Sequence, residues 1–227
     1  ESAALLDNKE AFLQLSKIYE KGLGVEENQL KSLAYLNLYN NQDNKDAYGI
    51  LGDIYYYGEG VKQSFSAAIK YYELAAKDGN DDALFSLGSM YNDGKGVKKD
   101  FLKAKYYYEL AAKGNNSNAL NNLGVLFENG NGVEKSYSKA KEYYELAAKL
   151  NNSDALSNLG LLYENGYGVT VDYMKAKHYY LLSSQLNNSE GLLNLGNLYK
   201  NGHGVKQNYS EAQKYYKLAA ELGNSEA

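Results

Sequence analysis

The 227-residue chain has no cysteine, no proline and no tryptophan, and all 24 of its basic residues are lysine. Each absence removes a class of function. Without cysteine there is no disulfide framework and no thiol chemistry, and with two histidines a zinc site would have to be built mostly from carboxylates. Without arginine there is no side chain for bidentate contact with phosphate or guanine, and a net charge of −4 offers no basic surface, so nucleic acid is not an expected partner. No apolar run approaches the roughly 20 residues that span a bilayer, so no membrane insertion by this segment is expected. No secretory leader pattern stands in its opening residues. What the sequence does have is 44% apolar residues, enough for a packed core, and 25 tyrosines.

A period of 36 residues governs the chain: Ala11, Ala47, Ala83, Ala119, Ala155, Gly191 and Ala227 follow one another without insertion or deletion. The same spacing carries Leu15, Leu51, Leu87, Leu123, Leu159 and Leu195, then Ser16 followed by Gly52, Gly88, Gly124, Gly160 and Gly196. A G-x-G-V turn recurs six times, from Gly22/Gly24/Val25 to Gly202/Gly204/Val205. Each repeat reads as two helices around that turn. In the third, Ala83, Leu87, Met90 and Tyr91 share one helical face, and Phe101, Ala104, Tyr107, Tyr108 and Ala111 share another.

The helix boundaries are also written in the sequence. Asn28, Ser64, Asp100, Ser136, Asp172 and Asn208 are placed to cap the second helices, at about 1 kcal/mol each. Asp81, Ser117, Ser153, Ser189 and Ser225 introduce first helices, with acidic neighbours such as Asp82, Asp154 and Glu190 suiting the helix dipole. Gly58, Gly94, Gly130, Gly166 and Gly202 fall where a left-handed residue would end the first helix. Gly88 and its equivalents lie inside that helix, where glycine costs about 1 kcal/mol against alanine. Their recurrence predicts a neighbour too close for a side chain, and Gly88→Leu should be badly tolerated.

The pattern A-x-x-x-L-G-x-L-Y-x-x-G-x-G-V, followed by a capping residue and A-x-x-Y-Y-x-x-A-A, resembles the Sel1-like repeat, a relative of the tetratricopeptide repeat. The resemblance covers essentially the whole chain. It implies an all-α fold, a right-handed α-α superhelix (solenoid) of 36-residue helix-turn-helix repeats, and a scaffold or adaptor role in protein complexes. The expected organisation is a single solenoid over 1–227, with 1–10 ending a preceding repeat and repeats near 11–46, 47–82, 83–118, 119–154, 155–190 and 191–226. The first repeat departs from the pattern, with Ser16 for Gly, Ser32 for Ala, Leu36 for the second Tyr and Tyr39–Asn40 for Ala–Ala, which predicts looser or differently angled packing there. Ala3 and Ala4 fall in the Ala–Ala register and Glu226–Ala227 open a seventh repeat, so a segment of a longer array is expected, monomeric, with end-to-end contacts at its open termini.

The chemistry-bearing residues have bland explanations. Sixteen of the 25 tyrosines occupy the repeated core registers; Tyr56 and Tyr57 fall outside them, and Tyr56 is a candidate for binding. His178 occupies a slot filled elsewhere by Lys70, Tyr106, Glu142 and Lys214, and His203 is the variable residue of a G-x-G turn, so both read as exposed variation. No serine, histidine and acid share a register, and the G-x-G turns lack the strand–turn–helix setting of a phosphate loop. No catalytic residue, cofactor or metal is expected. The N-x-S triplets opening at Asn115, Asn151 and Asn187 coincide with the turn between repeats, while a fourth opens at Asn208. Some Sel1-like proteins act on β-lactams, but in that subgroup a cysteine pair staples each repeat, and here there is none. A hydrolase is therefore the remotest reading.

If the family geometry holds, first helices line a concave surface, and outward positions that vary between repeats carry specificity. Counted from each lead Ala, these are +2, +6 and +9, the set Gly49, Asp53, Tyr56; Phe85, Ser89, Asn92; Asn121, Val125, Glu128; Ser157, Leu161, Glu164; and Leu193, Asn197, Lys200, after Leu13, Lys17, Glu20 in the first repeat. Phe85, Val125, Leu161 and Leu193 are apolar on a stripe expected to face water, which fits a recognition groove or half-burial by curvature. At +3, Asn122, Asn158 and Asn194 form a ladder of amides, the side chain that related tetratricopeptide grooves use toward peptide backbone. The function these residues predict is a protein or peptide partner, extended or helical, bound along repeats three to six. A structural spacer or oligomerisation arm is the alternative.

Overall fold

The computed structural model describes residues 9–41 and 44–226. Among them are twelve α-helices and no strand. They fall into two compact units, Glu1–Gly114 and Asn115–Ala227. The first holds α1 (Lys9–Lys21), α2 (Gln29–Asn40), α3 (Lys45–Tyr57), α4 (Phe65–Lys77), α5 (Asp81–Asp93) and α6 (Phe101–Lys113). The second holds α7 (Ser117–Asn129), α8 (Tyr137–Lys149), α9 (Ser153–Asn165), α10 (Tyr173–Gln185), α11 (Ser189–Asn201) and α12 (Tyr209–Glu221). Within each unit every odd-numbered helix pairs with the next even one, and pairs stack through α2 on α3, α4 on α5, α8 on α9 and α10 on α11. The Ala3–Ala4 register and Ala227 lie outside the described residues.

Local chemistry fixes the helix ends. The six predicted second-helix caps each accept from a backbone N–H of the first turn, Asp100 from Lys103 at 3.0 Å for instance. The backbone N–H of each cap also closes the turn on the carbonyl of the aromatic residue that ends the core stripe of the first helix, as Asp100 does with Tyr91 at 2.9 Å. Gly94 adopts φ 76°, which an L side chain would resist, and its N–H bonds back to Met90. The first-helix caps sit one residue earlier than expected: Asn44, Asn80, Asn116, Asn152 and Asn188, not Asp81 or the serines, accept from the N–H three residues on at 2.8–3.1 Å. Asn115, Asn151 and Asn187 take φ of 58–64°, the left-handed turn that the N-x-S reading favoured.

The core follows the repeat columns. Leu51, Leu87, Leu123, Leu159 and Leu195 are wholly buried. The tyrosine of the first Y register, Tyr35 to Tyr215, stacks on the first-helix aromatic, with ring centroids 5.5–5.9 Å apart in all six repeats. In the first repeat, residues that depart from the pattern bond to one another. Ser16 and Ser32, which replace a glycine and an alanine, hydrogen-bond to each other at 3.1 Å in a buried site. Lys31, 1% exposed, donates from Nζ to the hydroxyls of Tyr19 and Tyr55, both at 2.7 Å, and lies over both rings.

Candidate functional site

The first-helix face is built by a glycine and a tyrosine acting together. A Cβ on Gly88 would stand 2.6 Å from the ring of Tyr108, so the close neighbour predicted for the interior glycines is the second tyrosine of the paired helix. With its ring lodged over the glycine, that tyrosine delivers its hydroxyl to the far side of the first helix. Tyr72 donates to Asp53 at 2.7 Å, Tyr108 to Ser89 at 3.3 Å and Tyr216 to Asn197 at 2.7 Å, all at +6. Tyr144 donates to Glu128 at 2.6 Å and Tyr180 to Glu164 at 2.7 Å, both at +9. The switch follows the sequence: where +6 is Val125 or Leu161, which accept nothing, a glutamate one turn on accepts the hydrogen bond. Burial, reinforced by the adjacent carboxylates, holds the Tyr72, Tyr144 and Tyr180 hydroxyls well above the ordinary tyrosine value, so they remain donors.

The predicted residues divide between the units. In the second, Val125, Leu161 and Leu193 are half-buried, and Leu161 packs on the cluster of Ala176, Tyr180, Leu195 and Leu198. In the first, Phe85 is half-buried with its ring 5.9 Å from that of Tyr108. The stripe is thus a shelf rather than a row of projecting side chains. Two members of the +2 column expected to face water do not: Asn121 is 7% exposed and Ser157 is 0%. They are covered because the next repeat lies against them.

The asparagine ladder crosses the same junctions. Asn158 donates to Asn121 Oδ1 at 3.0 Å, Asn194, itself buried, donates to Ser157 Oγ at 3.4 Å, and Asn121 donates to Asn122 Oδ1 at 3.4 Å. The Asn158 and Asn194 amides tie one repeat to the next, and Asn122 and Asn158 stay half-buried at the surface. A second set of ties, unforeseen from sequence, comes from the first-helix caps. Asn80 Nδ2 reaches Asp46 at 2.9 Å, Asn152 reaches Asn118 at 2.8 Å and Asn188 reaches Asp154 at 2.6 Å. Their signal was in the sequence: an acceptor stands before the lead residue at Asp46, Asp82, Asn118, Asp154 and Glu190.

Tyr56 belongs to a different place. It accepts from Lys95 at 2.7 Å and packs edge-on against Tyr57 and Phe65, at the turns between the two helices of the second and third repeats. His178 is exposed as expected, but His203 is not mere exposed variation: it stacks on Tyr173 at 4.6 Å and lies 3.5 Å from Glu164. Among the most exposed large apolar side chains in the second helices are Tyr209 at 67%, Leu102 at 66% and Met174 at 62%, positions sequence reasoning passed over. Among the described residues, no group of three or more His, Asp or Glu side chains is placed to hold a metal ion, and no helix is long and apolar enough to cross a membrane.

Paired helices in tandem, with a tyrosine-backed first-helix face, define an α-α repeat protein. The Sel1 repeat model matches residues 10–38, 46–80, 81–116, 117–152, 153–188 and 189–224, and the chain belongs to the Sel1 repeat family. It is similar to a Sel1 repeat protein from Oxalobacter formigenes, with 29% identity and a TM-score of 0.79 over 95% of this chain and 89% of that one. It is also similar to c5321, a protective antigen of uropathogenic Escherichia coli with an SLR fold, with 30% identity and a TM-score of 0.77. That match takes in 96% of this chain but 47% of c5321, so the chain spans about half of its length. The immunity protein Pa5087 of Pseudomonas aeruginosa shares the fold at 19% identity and a TM-score of 0.60, over 94% of this chain and 81% of that one. Comparison with curated proteins gives no match. Sel1 repeat proteins are generally protein-interaction scaffolds.

Proposed function

We propose that this chain is a non-catalytic scaffold that binds a segment of a partner protein on the first-helix face of its repeats. The observation that carries the reading is the composition of that face in the second unit. Val125, Leu161 and Leu193 form a half-buried apolar shelf, flanked by the polar ends of the Tyr144–Glu128, Tyr180–Glu164 and Tyr216–Asn197 pairs and by Asn122 and Asn158. Apolar anchors with polar groups at fixed heights suit a peptide or helix with alternating character. The Tyr144 and Tyr180 hydroxyls are held by buried rings and that of Tyr216 by a half-buried one, so the face is organised before a partner arrives, which lowers the entropy cost of binding.

The ties between repeats favour a second reading, a stiff spacer, because they limit movement of one repeat on the next. One comparison separates the two. Capture from native lysate is compared for the parent chain, a Val125→Asp, Leu193→Asp variant and a Leu102→Asp, Met174→Asp variant, each checked for equal helicity by circular dichroism. The scaffold reading expects a retained protein to be lost only from the first variant. Loss only from the second would move the binding face to the second helices, and no specific retention by any chain would favour the spacer.

A further inference from the structure

At both junctions of the second unit, the +2 side chain of one repeat meets the +3 side chain of the next: Asn121 with Asn158, and Ser157 with Asn194. The equivalent residues across α3 and α5 are Gly49 and Ser86, and between them a cavity of about 250 Å³ opens. Gly49 lies inside α3 with ordinary helical backbone, and a Cβ there would come no nearer than 3.6 Å to any neighbour, the Asn80 amide. Neither conformation nor crowding calls for glycine, yet an interior glycine costs about 1 kcal/mol against alanine. Its effect is to keep the junction open.

The wall of that cavity has a definite chemistry. Asp46, Asp53 and Asp82 line it together with Ile50, and no basic residue does. Asn80 holds Asp46 and Tyr72 holds Asp53, each through one carboxylate oxygen, at 2.9 and 2.7 Å. The lysine at the start of α3, Lys45, donates instead to the carbonyl of Gly79 at 3.1 Å. Asp46, Asp53 and Asp82 are all exposed to solvent at the mouth of the cavity; partial desolvation raises the Asp53 carboxyl above its ordinary value and the charges of Asp82 and Glu59 add to this, against the lowering by the Tyr72 hydrogen bond. The three carboxylates are not grouped to hold a metal ion. The volume is below that of pockets for drug-sized ligands and suits one side chain.

We propose that this cavity receives one lysine or arginine side chain of a partner segment, its stem along Ile50 and its cationic head among Asp46, Asp53 and Asp82. The inference deepens the proposed function and rests on it only for the source of the side chain. The cation takes the place of the polar clasp that closes the two junctions of the second unit.

The test is a nitrogen-15 NMR titration of the whole chain with N-acetyl-lysine N-methylamide and its arginine analogue, against the norleucine and glutamate analogues as controls. A saturable shift of the Gly49, Ile50, Asp53 and Ser86 amides by at least one cation, and by neither control, is expected. Asp53→Asn keeps an acceptor for Tyr72, as Asn197 is for Tyr216, and should weaken binding about tenfold. A Gly49→Asn, Ser86→Asn variant rebuilds the Asn121–Asn158 clasp and should abolish binding with helicity unchanged. No shift at these amides with either cation, equal shifts with norleucine, or undiminished binding by the folded double variant would overturn the proposal. Because the probe is a capped amino acid, such a failure leaves the α7–α9–α11 face untouched. Conversely, capture that ignores Val125 and Leu193 while the cation still binds counts against the proposed function alone.

Discussion

The junction between α3 and α5 and those between α7, α9 and α11 share one tie and differ in another. In both units the cap asparagine of one repeat reaches back to the repeat before it, Asn80 to Asp46 as Asn188 to Asp154. In the second unit a further clasp joins +2 to +3, whereas in the first those positions are Gly49 and Ser86 and the space stays open. The constant columns therefore assemble the array, and the variable columns decide what each junction does with the room between helices. The contrast recurs within α3: Gly52 is required by the ring of Tyr72, and Gly49 by no neighbour.

Substitutions at these positions break or sharpen the comparison. The largest effect is expected at Gly160, where the Tyr180 ring occupies the space of a side chain: Gly160→Leu should cost about 3 kcal/mol or more, seen as a collapse of the thermal midpoint or failure to fold. Next comes Asn158→Ala, which removes the donor to buried Asn121 and should cost about 1–2 kcal/mol in denaturant unfolding. Ser86→Ala, at the open junction, should move the same midpoint far less. Gly49→Ala runs the other way, with a gain of about 0.5–1 kcal/mol, because helix propensity improves and nothing clashes. A loss there would show that the open junction is a packing requirement.

The smallest effect is one of pH. The folded-state value of Asp53 is raised, so the folded chain holds that proton more tightly than the unfolded chain does. Its ionisation weighs against folding above the folded value, and the penalty fades as pH falls through it. Asp53→Asn should therefore raise the thermal midpoint at pH 7, with the advantage shrinking toward pH 4. An advantage that grew on acidification would reverse the sign of the argument.

The fold was legible because a strict period makes six copies vote on each position, so the caps, the left-handed glycines and the buried leucines could be read directly. The site was only half legible. A helical wheel gives one apolar stripe, but a first helix here is covered by its own partner and by adjacent repeats, which is why Asn121 and Ser157 are buried despite polar, variable positions. The first-helix caps were misplaced by one residue because asparagine and serine stand side by side and both can cap. The hydroxyl targets were readable in principle: Glu128 and Glu164 occur where +6 is apolar, and Asp53, Ser89 and Asn197 fill +6 in the other repeats with a second tyrosine. What pointed to them was the pairing of two columns, and each column was read alone.

Hydrogen–deuterium exchange on the complex captured by the parent chain tests the central claim most directly. The account predicts that partner-induced protection falls on α7, α9 and α11, around Val125, Leu161 and Leu193, with α8, α10 and α12 unchanged. Protection confined to the second helices, centred on exposed positions such as Met174, would contradict it.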